Sequence, residues 1–212
     1  MSRAATSATA PRAAPPRRGR DGAGTRARIE GEALRLFAQR GVAGTSVRDI
    51  AQAAGVAEGA LYRHFPSKEE LARDLFLTRY AELAAAIGQV VAAEAGFGRQ
   101  LAALVRHACA LFDEDRALFA YLLITQHDHL AHVPAEPARN LVATLEALFT
   151  QAIRDGEIPP QDVALAVALA LGAVVQPAVF ALYGRLEAPL SPRADAIAAA
   201  IGRMLGCAPG IG

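Results

Sequence analysis

The side chains best suited to binding chemistry lie in one short stretch, GALYRHFPSKEEL, at residues 59–71. A phenol, a guanidinium and an imidazole follow one another there, and each can bind phosphates or base edges: Tyr62, Arg63 and His64. Pro66 limits a helix at this point to about two turns, which is too short to persist alone in water. Leu61 and Phe65, at positions i and i+4, can anchor it to a core. The stretch therefore predicts a short, supported helix with a polar outer face.

The sequence before this stretch predicts two supporting helices. The first, RARIEGEALRLFAQRG, begins near Thr25 and ends at Gly41, since glycine commonly ends helices. Its apolar face comprises Ile29, Ala33, Leu36 and Phe37. The second, SVRDIAQAAG, has Ser46 and Asp49 at capping-box spacing, and Gly55 supplies a tight turn after it.

The third helix is predicted for residues 57–64, and Pro66 separates it from a long amphipathic helix that starts at Ser67. Three such helices, with a glycine turn between the second and third, form a helix-turn-helix unit whose last helix enters the major groove of DNA. Gly59 and Ala60 would then let the backbone approach the duplex closely.

The charge distribution agrees with an anionic partner for the first part of the chain. Residues 1–80 contain 14 Lys and Arg against 8 Asp and Glu, whereas the remaining residues contain 8 against 13. A basic front and an acidic back favour nucleic acid as the partner of the front. A chance gradient with a basic tail is the alternative.

The stretch AGTSVRDIAQAAGVAEGALYRHFPSKEELARDLF resembles the DNA-binding domain of the TetR family of bacterial repressors. The resemblance covers about residues 26–75, and the remaining two thirds match the family in helix number and length alone. The matched features are Gly41, Gly44 and Thr45; Arg48-Asp49-Ile50-Ala51; Ala54-Gly55-Val56; Leu61-Tyr62-x-His64-Phe65; and Ser67-Lys68-Glu69-Glu70-Leu71.

The resemblance implies phosphate contacts for several matched residues. Thr45 and Ser46, at a helix N-terminus, would bind phosphate through hydroxyl and backbone N–H groups. Tyr62 and His64 would hold phosphates on either side of the groove. Lys68, which opens the fourth helix, would bind another phosphate.

The two arginines of the motif have different implied roles. Arg48 would contact a phosphate or a base. Arg63 is the side chain best suited to reading guanine, with about 1–3 kcal/mol of discrimination if the contact is bidentate. Ser67 and Glu70 would form the capping box of the fourth helix.

Two residues depart from the family pattern. Ala57 stands where many relatives have Ser or Thr, so a cap and a phosphate contact are missing. Glu58 either accepts from a cytosine amino group or, as we favour, stabilises the N-terminus of its own helix. Structural alternatives also stay open for Tyr62, as a half-buried core aromatic, and for His64, as the cap of its helix.

The composition favours an all-α protein with reduced cysteines. Hydrophobic residues make up 53% of the 212 residues, tryptophan is absent, and few segments alternate with period two. Cys109 and Cys207 are far apart and match no metal-ligand spacing, so a cytoplasmic location is the simplest interpretation.

Residues 1–24 contain almost no large apolar side chain and are predicted to form a flexible basic tail. No apolar stretch of a secretory signal follows its arginines, although the composition also fits a transit peptide. The tail either adds phosphate contacts or is a solvated leader.

The rest of the chain contains five further apolar runs, which bring the expected total to about nine helices: near residues 97–112, 115–126, 137–154, 161–184 and 193–205. With the DNA-binding domain at residues 25–72, the resemblance implies that residues 73–206 form a helical domain that dimerises and binds a small-molecule inducer. Residues 207–212 are expected to be a flexible C-terminus.

Large aromatic and polar side chains of this second domain are candidate pocket residues: His107, Phe112, Phe119, Tyr121, Gln126, Phe149, Gln176, Phe180 and Tyr183. Aromatic residues at helical spacing are more often plain core, so each has that alternative. Pro177 removes a backbone hydrogen bond and kinks its helix. A free carbonyl near a buried Gln176 amide would then help to shape the pocket.

Residues 163–184 contain no charged side chain and are long enough to span a bilayer, so a membrane-associated helical protein is an alternative class. The Gln176-Pro177 interruption, the small residues and the lack of flanking Lys and Arg favour a helix shared between subunits instead. The expected homodimer seam is a four-helix bundle formed by residues 161–184 and 191–205 of both subunits.

Other chemistries receive little support from the sequence. No nucleophile elbow, phosphate-binding glycine loop or paired carboxylate appears, so we expect neither an enzyme nor a cofactor. QHDHLAH offers three histidines, but His127 and His129 would point apart on a helix, so no metal site is expected.

The sequence therefore favours a cytoplasmic, ligand-responsive repressor that binds a palindromic double-stranded DNA operator as a dimer. Half-sites are expected about one or more helical turns apart. The inducer is expected to change the spacing of the two DNA-binding domains through the long helix that starts at Ser67. An activator without an inducer is the alternative regulator.

Overall fold

The computed structural model describes residues 18–207. Within that range nine α-helices and three short 3-10 turns are present and no strand occurs, which confirms the all-α prediction. The helices are α1 Arg18–Arg40, α2 Val47–Ala53, α3 Glu58–Tyr62, α4 Lys68–Ala93, α5 Phe97–Glu114, α6 Arg116–His129, α7 Leu141–Arg154, α8 Val163–Leu182 and α9 Ala194–Met204.

The ends of the chain differ from the expected tails. Residues 18–24 are the first turns of α1, because a helix already held by its apolar face gains a hydrogen bond for each residue added. Cys207, assigned to the flexible C-terminus, is half-buried, and its N–H donates to the Gly202 carbonyl at 2.9 Å. Residues 1–17 and 208–212, the rest of both predicted tails, lie outside the described residues.

The first core lies in the helix-turn-helix region and contains the apolar side chains that helical spacing predicted. Its buried members from the first three helices and their turns include Ile29, Ala33, Leu36, Phe37, Ile50, Ala51, Ala54, Leu61 and Phe65. Gly41 ends α1 with a φ of 70°, and Gly55 makes the turn between α2 and α3 with a φ of 64°. Both lie in the left-handed region, which glycine adopts without steric cost.

The two predicted helix caps differ in completeness. In α2 the Ser46 hydroxyl accepts the Asp49 N–H at 3.1 Å, and the Asp49 carboxylate accepts the Ser46 N–H at 3.0 Å. The Ser46 hydroxyl also donates to the Asp49 carboxylate at 2.6 Å, and this bond, together with the one from the Ser46 N–H, lowers the pKa of Asp49. In α4 Ser67 accepts the Glu70 N–H at 3.1 Å. The other half of that predicted box is replaced, because the Glu70 carboxylate pairs with Arg73 at 3.4 Å.

The helix α4 joins the two cores of the molecule. Its first part contributes Leu71 and Leu75 to the first core, whereas Ile87 lies in the second core, which α5 and α7 to α9 complete. The proposed domain boundary after residue 72 therefore falls inside one continuous helix. A movement of α4 would displace side chains in both cores.

The helix α8 continues through Pro177 and buries one side only. Its inward side chains are mainly small: Ala166, Val167, Ala170, Ala178 and Ala181. Its outward side and the residue after it expose Leu165, Leu169, Phe180, Leu182 and Tyr183. By length and composition alone α4 and α8 could cross a membrane, which is weak evidence because core helices of other proteins pass the same test.

Candidate functional site

The short helix α3 is held to the first core by two side chains. Leu61 and Phe65 are 0% and 1% exposed. The Arg26 guanidinium of α1 lies 4.4 Å from the centre of the Phe65 ring and ties α1 to the end of α3. The helix is shorter than the predicted 57–64 and ends at Tyr62, in keeping with the bias of the residue before Pro66 away from helical backbone.

The outer face of α3 is polar and open. Tyr62 is 52% exposed and Arg63 is exposed, while His64 is half-buried with its ring 6.5 Å from that of Phe65. Gly59 is also exposed, and a Cβ built there would meet no atom within 4 Å. The fold itself therefore does not require glycine at this position.

The start of α2 differs from the prediction at Thr45. This residue is 2% exposed, its hydroxyl donates to the Gly41 carbonyl at 2.9 Å, and its N–H donates to the Val42 carbonyl at 3.3 Å. Because both groups are engaged inside the protein, this arrangement does not support a phosphate contact by Thr45, which stays a prediction. Ser46 and Arg48 are exposed beside it.

Lys68 has a structural partner that the sequence did not reveal. Its ammonium donates to the Thr45 carbonyl at 2.9 Å and lies 3.7 Å from the Glu69 carboxylate, with 17% of the side chain exposed. Lys68 therefore ties the start of α4 to the turn before α2. A phosphate contact by its remaining N–H groups stays a prediction.

A partly open cavity of about 190 Å³ lies in the second core and borders the first core through Phe76 and Tyr80. Its lining is almost wholly apolar, with the Tyr80 hydroxyl and the Gln126 amide as the polar side-chain groups. The lining residues are Phe76, Tyr80, Leu83, Ile87, Leu101, Leu104, Val105, Ala108, Leu111, Phe119, Leu122, Leu123, Gln126, Leu141, Leu145, Phe149, Ala170, Leu171, Val174, Val175 and Ile201.

Three predicted pocket residues line this cavity: Phe119, Gln126 and Phe149. Phe112 lies behind the wall, edge-on to Phe119 with 5.3 Å between ring centres, and His107 is half-buried on α5 outside the lining. Three others are exposed because α8 turns them outward: Gln176, Phe180 and Tyr183. The interpretation of Gln176 as a buried amide that shapes the pocket is therefore wrong.

The main omission from the prediction is the wall formed by α4. Phe76, Tyr80, Leu83 and Ile87 follow one another at helical spacing and line the cavity. Their spacing indicates a buried face, which is visible in the sequence. Spacing does not distinguish a closed core from the wall of a cavity, because the same residue types serve both.

Tyr121 belongs to the first core rather than to the cavity. Its hydroxyl donates to the Ala72 carbonyl of α4 at 2.6 Å, and its ring stacks on Phe37 of α1 with 6.1 Å between centres. Burial raises the pKa of its hydroxyl, so the group stays neutral. Since Phe119 and Gln126 lie on the same helix, α6 touches both the cavity and the first core.

A capped helix, a glycine turn and a short second helix with an exposed polar face define a helix-turn-helix domain, a DNA-binding class. The match to a family model agrees: residues 31–75 fit the bacterial regulatory proteins of the TetR family. The HTH-type transcriptional repressor KstR2 of Rhodococcus jostii is 30% identical over 128 residues, covering 60% of this chain and 61% of that protein. Residues 31–75 therefore match the DNA-binding region of the TetR family, and the chain is similar to regulators of that family.

Solved structures share the fold over most of the chain. The TetR-family regulator PfmR of Thermus thermophilus is 26% identical with a TM-score of 0.66, covering 86% of this chain and 97% of that one. FadR of Bacillus subtilis, solved in complex with stearoyl-CoA, is 21% identical with a TM-score of 0.68, covering 82% and 96%. The curated relative KstR2, by contrast, is matched over about three fifths of its own length.

Proposed function

We propose that this protein is a ligand-responsive transcriptional repressor that binds a palindromic DNA operator as a dimer. The observation that carries the proposal is the outer face of α3, where exposed Tyr62 and Arg63 stand beside Gly59. Glycine costs about 1 kcal/mol relative to alanine inside a helix. Because no protein atom needs that space, a closely approaching duplex explains the residue.

The proposed DNA contacts lie at the start of α2, on α3 and the two residues after it, and at the start of α4. The face comprises Ser46, Arg48, Gly59, Ala60, Tyr62, Arg63, His64 and Lys68. Tyr62, His64 and Lys68 would bind phosphates and position α3, and Arg63 would reach a base edge. Thr45 supports this surface from inside through its bond to Gly41 and through its carbonyl, which holds Lys68.

The first test compares two glycine substitutions. Gly59→Ala should leave the free energy of unfolding unchanged or raise it by up to about 1 kcal/mol, while weakening operator affinity about tenfold by steric exclusion. Gly88→Ala is the matched control, since Gly88 lies in the second part of α4 and its Cβ would also meet nothing within 4 Å. Footprinting on the DNA upstream of the protein's own gene would define the operator, and unchanged affinity of Gly59→Ala would contradict the close approach.

A salt titration separates the two roles open to Arg63. If Arg63 reads guanine, Arg63→Ala should lower affinity by about 1–3 kcal/mol and relax preference at one operator position. If it contacts a phosphate, affinity should fall equally on all sequences and the salt slope should decrease by about 1. Unchanged affinity and slope would exclude both roles.

The exposed side of α8 supports the proposed dimer. Leu165, Leu169 and Phe180 are 57%, 48% and 45% exposed and form an apolar face on a helix whose other side is packed. A second copy would cover this face with its own α8 and α9 as a four-helix bundle. The same exposure is what favours the membrane alternative for residues 163–184.

Fractionation and mass in solution distinguish these two possibilities. A dimer in sedimentation at micromolar concentration, converted to monomer by Leu169→Glu, supports the bundle. Retention of the protein in a carbonate-washed membrane pellet would favour the anchor and contradict the dimer seam.

The cavity supports the proposed response to a ligand. It is bordered by α4 and α6, and both helices also contribute to the first core through Leu71 and Tyr121. A ligand that favours one arrangement of these helices would shift the position of the DNA-binding domain. The stearoyl-CoA bound by the structural relative FadR has an alkyl chain, which suits an apolar wall of this kind.

An activator that needs no inducer is the second candidate regulator. It would bind the operator equally well with or without apolar compounds, and its deletion would lower rather than raise transcription of the adjacent gene. A transcript measurement in the deletion strain decides between the two.

A further inference from the structure

The cavity wall contains no ionisable cation or carboxylate among the residues that line it. Its polar side-chain groups are the Tyr80 hydroxyl and the Gln126 amide. Arg79, which precedes Tyr80 on α4, pairs with Glu82 at 2.8 Å through one terminal nitrogen, while its Nε is buried without a partner; Arg79 is not part of the lining. The site therefore offers hydrogen bonds but no counter-charge.

The two polar groups provide one donor and one acceptor. The Gln126 amide nitrogen already donates to the Leu123 carbonyl at 3.1 Å, which leaves its amide oxygen to accept. The Tyr80 hydroxyl has no acceptor within the described part of the chain, so its proton is available. Burial raises the pKa of this hydroxyl, with the backbone of Val142 acting in the opposite direction, and the group remains a donor at neutral pH.

Charge decides between otherwise similar ligands in such a site. A buried hydroxyl or carbonyl that finds one of these partners loses little on leaving water. A carboxylate that is buried without a cation loses its hydration, and this costs several kcal/mol that no interaction in the cavity offsets. An uncharged compound should therefore bind better than the acid of the same length.

The size of the cavity limits the part of the ligand that it can enclose. A cavity of about 150 Å³ in another protein accepts benzene. At about 190 Å³, this one encloses roughly eight non-hydrogen atoms by the same ratio, and a longer ligand would extend beyond it.

We infer that the cavity binds an uncharged, medium-length amphiphile through an alkyl portion and one hydroxyl or carbonyl that pairs with Tyr80 or Gln126. It discriminates against the carboxylate of equal length. The inference deepens the proposed ligand response and rests on it only where binding is expected to release DNA.

The test uses 1-octanol and octanoate as a matched pair at pH 7.5. Calorimetry on the full chain should show 1-octanol binding at least about 30-fold more tightly than octanoate. Equal or tighter binding of octanoate would overturn the inference, and so would the absence of 1-octanol binding at millimolar concentration.

Variants assign the discrimination to the two named residues. Tyr80→Phe should weaken 1-octanol binding about fivefold, whereas Tyr183→Phe, at a side chain that is 77% exposed, should not. Gln126→Arg supplies the missing cation, so this variant should bind octanoate more tightly than 1-octanol. An unaltered ratio in Gln126→Arg, in a variant whose helical content matches the wild type, would contradict the assignment.

Release of operator DNA is measured separately by fluorescence anisotropy of a labelled duplex. If 1-octanol binds with the expected preference but leaves DNA bound, the ligand-responsive function fails while the specificity of the cavity stands. If octanoate binds more tightly than 1-octanol, the proposed specificity of the cavity is wrong, whether or not operator DNA is released.

Discussion

In the first core Phe37, Ile50 and Leu61 are each 0% exposed, and α1, the short helices α2 and α3, and the first part of α4 close around them. In the second core Leu104 and Leu145 are 6% and 8% exposed and border the cavity. The side-chain types are the same in both regions. One difference lies in the helices: the first core depends on α2 and α3, which have 7 and 5 residues, whereas the helices of the second core have 11 to 26.

This contrast fits the proposed combination of a rigid DNA-binding surface with a cavity that responds to a ligand. Short helices gain almost nothing from their own hydrogen bonds and exist because their buried side chains hold them. Long helices are held at several points along their length, so a gap between them is tolerated. The DNA-binding face must keep its shape, while the cavity can be filled or emptied.

The largest expected effect comes from making one truncation in each region. Leu61→Ala should lower the free energy of unfolding by about 3–5 kcal/mol, because it removes the main anchor of α3 from a closed core. Leu104→Ala, in the cavity wall, should cost about 2–3 kcal/mol, since that side chain already lacks neighbours on one side. Urea denaturation followed by circular dichroism provides both values, and equal losses would remove the distinction between the cores.

Prediction from sequence succeeded best where local rules determine the structure. The capping pair Ser46 and Asp49, the turn at Gly55, and the anchors Leu61 and Phe65 all follow from spacing and residue type, and each is present in the fold. These features depend on contacts within a few residues of each other. The local sequence is therefore sufficient to predict these features.

Prediction was incomplete where contacts between distant residues decide the outcome. The Lys68 ammonium is engaged by the Thr45 carbonyl, 23 residues away. Tyr121 lies in the first core because of its contact with Ala72, 49 residues away. Helical spacing shows that such a residue is buried. The packing of whole helices determines which residues it contacts.

The joint between α5 and the turn before α9 shows that polar contacts also hold the second region. The Asp113 carboxylate accepts the Leu190 N–H at 2.7 Å, the Ser191 N–H at 2.8 Å and the Ser191 hydroxyl at 2.6 Å. Burial alone would raise the pKa of Asp113, but these hydrogen bonds outweigh it and lower the pKa.

The stability contributed by this joint should depend on pH. A lowered native pKa gives stability that is complete above the unfolded value of about 4 and is lost as the pH falls through the native value. Asp113→Asn should therefore cost about 1–2 kcal/mol at pH 7 and progressively less as the pH approaches 3. A loss that stays constant between pH 7 and pH 3, measured by urea denaturation, would show that the charge has no part in it.

The smallest expected change in stability lies at the contact between the two regions. Tyr121→Phe keeps the ring against Phe37 and removes the hydrogen bond to the Ala72 carbonyl, which should cost about 1 kcal/mol. Tyr183→Phe removes the same hydroxyl from an exposed position and should cost nothing measurable.

Operator release distinguishes a mere loss of stability from a loss of coupling. If α6 carries the response of the cavity to α1 and α4, Tyr121→Phe should bind operator and 1-octanol normally yet need more 1-octanol to release DNA. The coupling free energy, obtained from operator affinity with and without the alcohol, should fall in Tyr121→Phe and stay unchanged in Tyr183→Phe. If both variants retain the wild-type value, the response travels through α4 alone, and the two regions are joined by one helix rather than two.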